Sequence, residues 1–197
     1  MLKGGVTGLR YLALIVALVT LAGCASLPPP AEPAVRPPRE RVTAFQLEGR
    51  IVVRRGEENF SAHVSWQHGP RSEEIVLSTP LGQGMARLTA DAHGAQLETA
   101  DQKRYAAADL DSLSEQVFGV RLPITAIPRW VVGRGAPSPG ARELDARGRL
   151  TRFVEQGWEV EFVAYENETA NALPNLLRLE QNDVQVRLKI DAWSVNP

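Results

Sequence analysis

Strict alternation of apolar and polar residues runs through most of this chain after position 44, and no other feature restricts its folding as much. Phe45, Leu47, Gly49, Ile51 and Val53 share one parity, with Gln46, Glu48, Arg50 and Arg54 on the other. Phe60, Ala62, Val64 and Trp66 alternate with Asn59, Ser61, His63 and Ser65. Ile75 and Leu77 follow, then a run from Met85 to Thr89, then Ala95, Leu97 and Thr99, then a short run near Tyr105. A period of two is the mark of a strand with one wet and one buried face. Turns such as Arg55-Gly56-Glu57, His68-Gly69-Pro70 and Ala92-His93-Gly94 separate the segments. The pattern resumes from Leu150 to Gln156, in Trp158, Val160, Phe162 and Ala164 against Glu159 and Glu161, and in Leu177 and Leu179. It ends in Val184, Val186, Leu188, Ile190 and Ala192. About ten or eleven short strands with tight turns predict an antiparallel meander closing into a barrel or strongly curved sheet. The fold class is therefore mainly β with a few helices.

The alternation is interrupted once. Asp109-Leu110-Asp111-Ser112-Leu113-Ser114-Glu115 reads as a helix start, with Ser112 and Glu115 as a capping box and Asp109 as a rival cap. Leu110, Leu113 and Val117 form one stripe, and Gly119 ends it. Pro128 suits only the first turn of a second short helix, through Trp130 and Val131. Two short helices with apolar stripes between runs of strands suggest a lid on a curved sheet. A loop rich in glycine and proline follows from Gly133 to Gly140.

Ahead of the strands the composition changes. Lys3 and Arg10 precede an apolar run from Tyr11 to Ala22 broken only by Thr20, too short to span a bilayer and typical of a secretory signal. It ends in Leu21-Ala22-Gly23-Cys24, which resembles the lipobox of bacterial lipoproteins and holds the sole cysteine among 197 residues. Residues 1–23 are thus expected to be removed, leaving Cys24 as a lipidated amino terminus carrying diacylglycerol and an N-acyl chain. Six prolines between Ser26 and Arg41 make 24–41 an extended, semi-rigid spacer. Residues 42–197 form one domain. Setting Lys3 and Arg10 aside leaves 20 of the 22 basic residues against 23 acidic ones, a net charge of −3. No strong field points to nucleic acid. An exported domain without a second cysteine has no disulfide and depends on its core.

The residues carry little that resembles catalysis. His63, His68 and His93 fall on an outward strand position or in turns, with no metal-ligand spacing. Glu159 and Glu161 share a solvated strand face, and Asp109 and Asp111 serve a helix start. No nucleophile elbow, phosphate loop or dinucleotide fingerprint occurs. No metal site, cofactor or enzymatic activity is expected. The notable groups are apolar. Inward positions combine Phe60, Trp66, Trp158 and Phe162 beneath helices carrying Leu113, Val117 and Trp130. They fit either an ordinary packed core or the lining of an interior cavity. The other outlier is Thr79-Pro80-Leu81-Gly82-Gln83-Gly84, where Pro80 and Gly82 shape a turn with Leu81 at its tip.

At these residues the chain resembles the LolB family of outer-membrane lipoproteins, which receive lipoproteins from the periplasmic carrier LolA. The matching segments are Phe45-Gln46-Leu47-Glu48-Gly49-Arg50, Phe60 to Gln67, Ser78-Thr79-Pro80-Leu81-Gly82, Leu122-Pro123-Ile124, Trp130-Val131-Val132-Gly133, Gln156-Gly157-Trp158 and the last strand near Trp193. The resemblance implies an unclosed antiparallel barrel whose helical lid covers a hydrophobic, acyl-binding cavity. It also implies a protruding loop whose leucine, here Leu81 between Pro80 and Gly82, helps deliver cargo to the membrane. Ala25 follows the cysteine where enteric bacteria use aspartate to retain lipoproteins at the inner membrane, in keeping with an outer-membrane address. The expected partners are a LolA-type carrier, acylated cargo lipoproteins and outer-membrane lipid, with the protein acting as a monomer. A scaffold lipoprotein with a filled core is the rival reading, and a periplasmic hydrolase a further one.

Overall fold

The computed structural model describes residues 35–119, 121–135 and 142–196. The signal, Cys24 and the spacer up to residue 34 lie outside the described residues, as does most of the Gly133–Gly140 loop.

Eleven strands form one antiparallel sheet. In chain order they are β1 (Phe45–Arg55), β2 (Glu58–His68), β3 (Glu73–Ser78), β4 (Gly84–Asp91), β5 (Gly94–Thr99) and β6 (Arg104–Ala107). After the helices α1 (Leu110–Phe118) and α2 (Ile127–Val131) come β7 (Arg142–Leu144), β8 (Leu150–Glu155), β9 (Trp158–Tyr165), β10 (Pro174–Gln181) and β11 (Val184–Val195). The spatial order is β6-β5-β4-β3-β2-β1-β11-β10-β9-β8-β7. Each half is a meander, and the pairing of β1 with β11 joins them. The two edges, β6 and β7, are not paired with each other, so the sheet curls without closing. The segment between those edges supplies both helices.

Alternation sets the faces. In β11, Val184, Val186, Leu188 and Ile190 are buried while Gln185, Arg187, Lys189 and Asp191 are exposed. Across the outer face, cross-strand pairs such as Arg178–Glu161 and Arg152–Glu159 meet at 3.1 and 2.6 Å, half in water and worth little individually. Against the inner face lie two clusters. The larger joins β1, β2 and β8–β11 with α2, through Phe45, Trp66, Trp130, Phe153, Trp158 and Phe162. The smaller joins β4 and β5 with α1, through Leu88, Leu97, Leu110 and Leu113.

The β1·β11 seam carries a bulge between Glu48 and Gly49. A Cβ on Gly49 would stand 2.2 Å from the carbonyl oxygen of Lys189, a backbone atom that cannot step aside. Gly49→Ala is therefore expected to cost about 1–3 kcal/mol, the range of forced overpacking, seen as a lower urea midpoint with an unchanged slope.

Helix α1 settles the choice of caps. The Asp109 carboxylate accepts from the Ser112 amide at 2.7 Å, so Asp109 is the N-cap and the Ser112–Glu115 box does not form. Gly119 ends the helix in the left-handed region, φ 67°. The Ser112 amide and its side chain, chiefly, hold the Asp109 carboxyl below the ordinary carboxylate range. A lowered folded value means stability fully present above the unfolded value of about 3.9 and lost as pH falls through the folded one. Asp109→Ala should cost about 1 kcal/mol at neutral pH. That difference should shrink when denaturation is repeated below about pH 4.

Three sequence expectations need correction. The spacer read as reaching position 41 is already docked at Arg36, whose guanidinium grips Glu166 in two bonds of 3.0 and 2.5 Å. Arg39 then donates to the carbonyls of Ala170 and Ala172 and lies over the Tyr165 ring. His68 is not in a turn: it ends β2, stacks on Phe45 and hydrogen-bonds Glu73 at 2.5 Å. Phe60 has the inward parity but is 39% exposed.

Candidate functional site

The β3–β4 hairpin projects its loop from one end of the sheet. The Gly82 amide donates to the Thr79 carbonyl at 2.9 Å, closing a turn around Pro80 and Leu81. The Thr79 amide donates to Gln83 at 2.8 Å, and the Gln83 amide returns a bond to the Thr79 hydroxyl. Pro80 supplies the fixed φ of the first central position, and Gly82 accepts φ +81°. At the tip of this closed turn Leu81 faces solvent at 89% exposure.

The same end of the sheet carries further exposed rings. Phe60 lies opposite Val53 on the β1–β2 hairpin, beyond the point where β3 begins to pair with β2. Phe118, at the end of α1, is half exposed, and its carbonyl accepts from Arg55 at 3.2 Å. The opposite end is polar. A cleft of about 450 Å³ there is lined by residues that include Gln46, His68, Glu73, Asp91 and Gln96. None of the seven residues expected to line an acyl cavity borders it.

Those seven are not brought together. Trp66, Trp130, Trp158 and Phe162 are buried in the larger cluster, where Trp130 meets Phe153 edge-on at 5.8 Å and Phe153 stacks on Phe162 at 5.9 Å. Leu113 and the half-buried Val117 belong to the smaller cluster, and Phe60 to neither. The inner face thus carries two clusters, one mixing rings with aliphatic residues such as Val160 and Leu177, the other aliphatic and packed on α1, with Ile75 and Leu77 against both.

A residue that sequence reading passed over sits at the heart of the larger cluster. Glu155 is 8% exposed on the inward side of β8. It accepts from Trp130 Nε1 at 3.0 Å and pairs with Arg129, so both polar groups of α2 converge on it. The available signal was parity: Glu155 has the parity of Phe153, and a charge at a buried position calls for partners. A second polar knot fixes the β9–β10 side. Tyr165 lies between Arg39 and Arg149, at 5.6 and 4.4 Å, and its hydroxyl donates to the Leu150 carbonyl at 2.5 Å. Burial pushes its pKa up to about 12, against the pull of the two guanidiniums. Among the described residues no cluster of His, Cys, Asp and Glu is arranged to hold a metal ion. Nor is any helix there long and apolar enough to cross a membrane.

Comparison with known proteins bears on this geometry. The profile of the family described as outer membrane lipoprotein LolB matches residues 43–193. An outer-membrane lipoprotein LolB of Azoarcus sp. (strain BH72) is 38% identical over 190 residues, covering 94% of this chain and 96% of its own. One of Dechloromonas aromatica (strain RCB) is 34% identical over 197 residues, covering 96% and 99%. Among solved structures, a DUF1329 family protein of Desulfovibrio piger superposes with a TM-score of 0.51 at 8% identity. It covers 80% of this chain and 88% of its own, a likeness of fold alone.

Proposed function

The chain belongs to the LolB family of outer-membrane lipoproteins, and from that premise we propose that it accepts acylated lipoproteins from a LolA-type carrier and inserts them into the inner leaflet of the outer membrane. The family is one of lipoprotein-localisation proteins and not of enzymes. The single observation that carries the proposal is Leu81, an aliphatic side chain held in water at the tip of a loop closed by its own hydrogen bonds. Residues Pro80, Leu81 and Gly82 are the delivery loop.

The physical problem is acyl exposure. Moving a chain from lipid into water costs about 0.8 kcal/mol per CH₂, or roughly 12 kcal/mol for sixteen carbons. A curled sheet with an apolar inner face under a helical lid is a shelter that removes most of this cost. No ATP is required if each receiver binds the chain more tightly than the donor does. Cys24, with its own acyl chains, keeps the last receiver beside the destination bilayer, since two or more chains anchor stably where one does not. Trp66, Trp130, Trp158 and Phe162 form one wall of the shelter and Leu113 and Val117 belong to its α1 side, while Phe60 lies exposed beyond both clusters. The protein works as a single copy.

The test is a handover. The acylated chain in liposomes is mixed with a LolA-type carrier loaded with labelled lipoprotein, and the label is followed by flotation. The label should leave the carrier and float with the liposomes only when this protein is present. Equal transfer without it would refute the proposal.

A further inference from the structure

We infer that residues 36–42 are a strap that fixes the exit of the membrane tether at the end of the sheet opposite the Leu81 loop. The length of chain between Cys24 and the strap then decides whether Leu81 reaches the bilayer. This rests on the acceptor function and the lipidated Cys24 proposed above, and concerns how the delivery loop is presented to lipid.

The strap is tied down along its whole length. Arg36 and Glu166 form a two-bond ion pair whose side chains are only 11% and 20% exposed, and Glu166 also accepts from the Leu173 amide. Such a pair fixes direction as well as charge. Pro38 is extended, with φ −50° and ψ 136°, ahead of the 3-10 turn Arg39–Arg41. The adjacent rings of Pro37 and Pro38 leave little backbone freedom to lose on docking. Arg39 donates to the carbonyls of Ala170 and Ala172 and lies over the Tyr165 ring. It also runs against Gly133, where a Cβ would stand 3.0 Å from the Arg39 Cδ. Beyond the turn, Arg134 donates to the Val42 carbonyl, and the Asn196 side chain bonds Arg41, Thr43 and Ala44.

Strand pairing locates these partners. Tyr165 lies across from Pro174 and Val195 across from Phe45, so the β9–β10 connection, the end of β11 and the start of β1 share one end of the sheet. Ser78 lies across from His63, and His63 across from Arg50. The Leu81 loop therefore springs from the sheet about 17 Å along β1 from Phe45. The residues from Ser78 to Leu81 carry the tip further off by up to about 10 Å. Leu81 must thus be reached across roughly 17–27 Å from the strap end. From Cys24 to Ala34 the chain has eleven residues, with a reach of at most about 40 Å. That suffices to set Leu81 on the bilayer holding Cys24, with little to spare. Were the chain free up to Val42, about 25–30 Å more would be available and the tether would be slack. The docked strap matches tether to domain.

The test shortens the tether of the acylated chain and measures insertion of labelled lipoprotein into liposomes beside uptake from the carrier. Deleting Leu27–Ala34 leaves Cys24, Ala25 and Ser26, with a reach of about 10 Å. Insertion should fall at least tenfold, with uptake and the unfolding midpoint unchanged. Glycine and serine residues of equal number in the same place should restore it, because length and not sequence is required. Arg36→Ala with Arg39→Ala in the shortened chain should also restore it to within about threefold, because the released strap returns the missing length. Arg36→Gln with Arg39→Gln takes their place if the alanine pair does not fold. Normal insertion by the shortened chain, or no rescue by the inserted length or by strap release, would overturn this inference and leave the acceptor function standing. Failure of the full-length chain to insert cargo would remove both.

Discussion

Leu81→Glu is expected to reduce insertion of acylated cargo into liposomes by about tenfold to a hundredfold while leaving the unfolding midpoint unchanged. Burying a leucine in an apolar phase yields about 1.5–3 kcal/mol, which is one to two factors of ten in an equilibrium. The side chain touches solvent on nearly all sides, so the fold neither gains nor loses by its replacement, within about 0.5 kcal/mol. The turn itself is held by backbone bonds among Thr79, Gly82 and Gln83 and by the Thr79 hydroxyl, none of which needs the leucine. Uptake from the carrier should also survive, because the inner face is untouched. Leu81→Ala should give an intermediate loss, since it removes the apolar gain without adding a charge. Unfolding, uptake and insertion are to be measured on one preparation. Normal insertion by the glutamate variant would remove the loop from delivery, and a fall in the midpoint would make Leu81 a packing residue.

Most of the architecture was legible because a strand's side chains alternate strictly. The parity of Phe45 to Val53 and of Val184 to Ile190 assigns their faces without reference to any partner, and tight turns then force neighbours to pair antiparallel. Strand β7 escaped because Arg142–Leu144 is three residues long and exposed throughout, too short to show a period. The cap at Asp109 was ambiguous for a different reason. Ser112 can cap only if the helix begins after it, and the apolar stripe starting at Leu110 already requires the earlier start.

Phe60 shows where parity stops being informative. It reports which face a residue occupies but not how far along the strand the cover extends. Cover over β2 includes Ala62, Val64 and Trp66 and ends before Phe60, because β3 pairs with β2 only from His63 onward. Depth is set by strands and helices distant in sequence, and no local pattern encodes it. The loop at Leu81 was legible for the opposite reason: proline and glycine fix a turn locally, so a leucine between them has no route inward. The division of the inner face into two clusters, one including α2 and the other α1, depends on which strands each helix covers. That follows from the path of the chain between β6 and β7, and local pattern does not report it.

Trp130→Ala should destabilise the domain by about 3–5 kcal/mol, a large fraction of the total stability of a domain this size. The indole is completely buried, meets Phe153 edge-on, and donates its N–H to Glu155. Truncation therefore opens a void among interlocked rings and takes one donor from a buried carboxylate, two separate costs of the kind that produce large effects. Trp130→Phe separates them: it keeps most of the volume and removes only the N–H, so about 1–3 kcal/mol is expected. Urea denaturation followed by circular dichroism gives both values on one scale. The ordering matters more than either number. An alanine variant close to the native protein would mean that α2 is not locked to the sheet. Equal losses for the two variants would place the whole effect in the Glu155 hydrogen bond, with no part for ring packing. The expected ordering makes the cluster around Trp130 and Phe153 a rigid wall of the inner face.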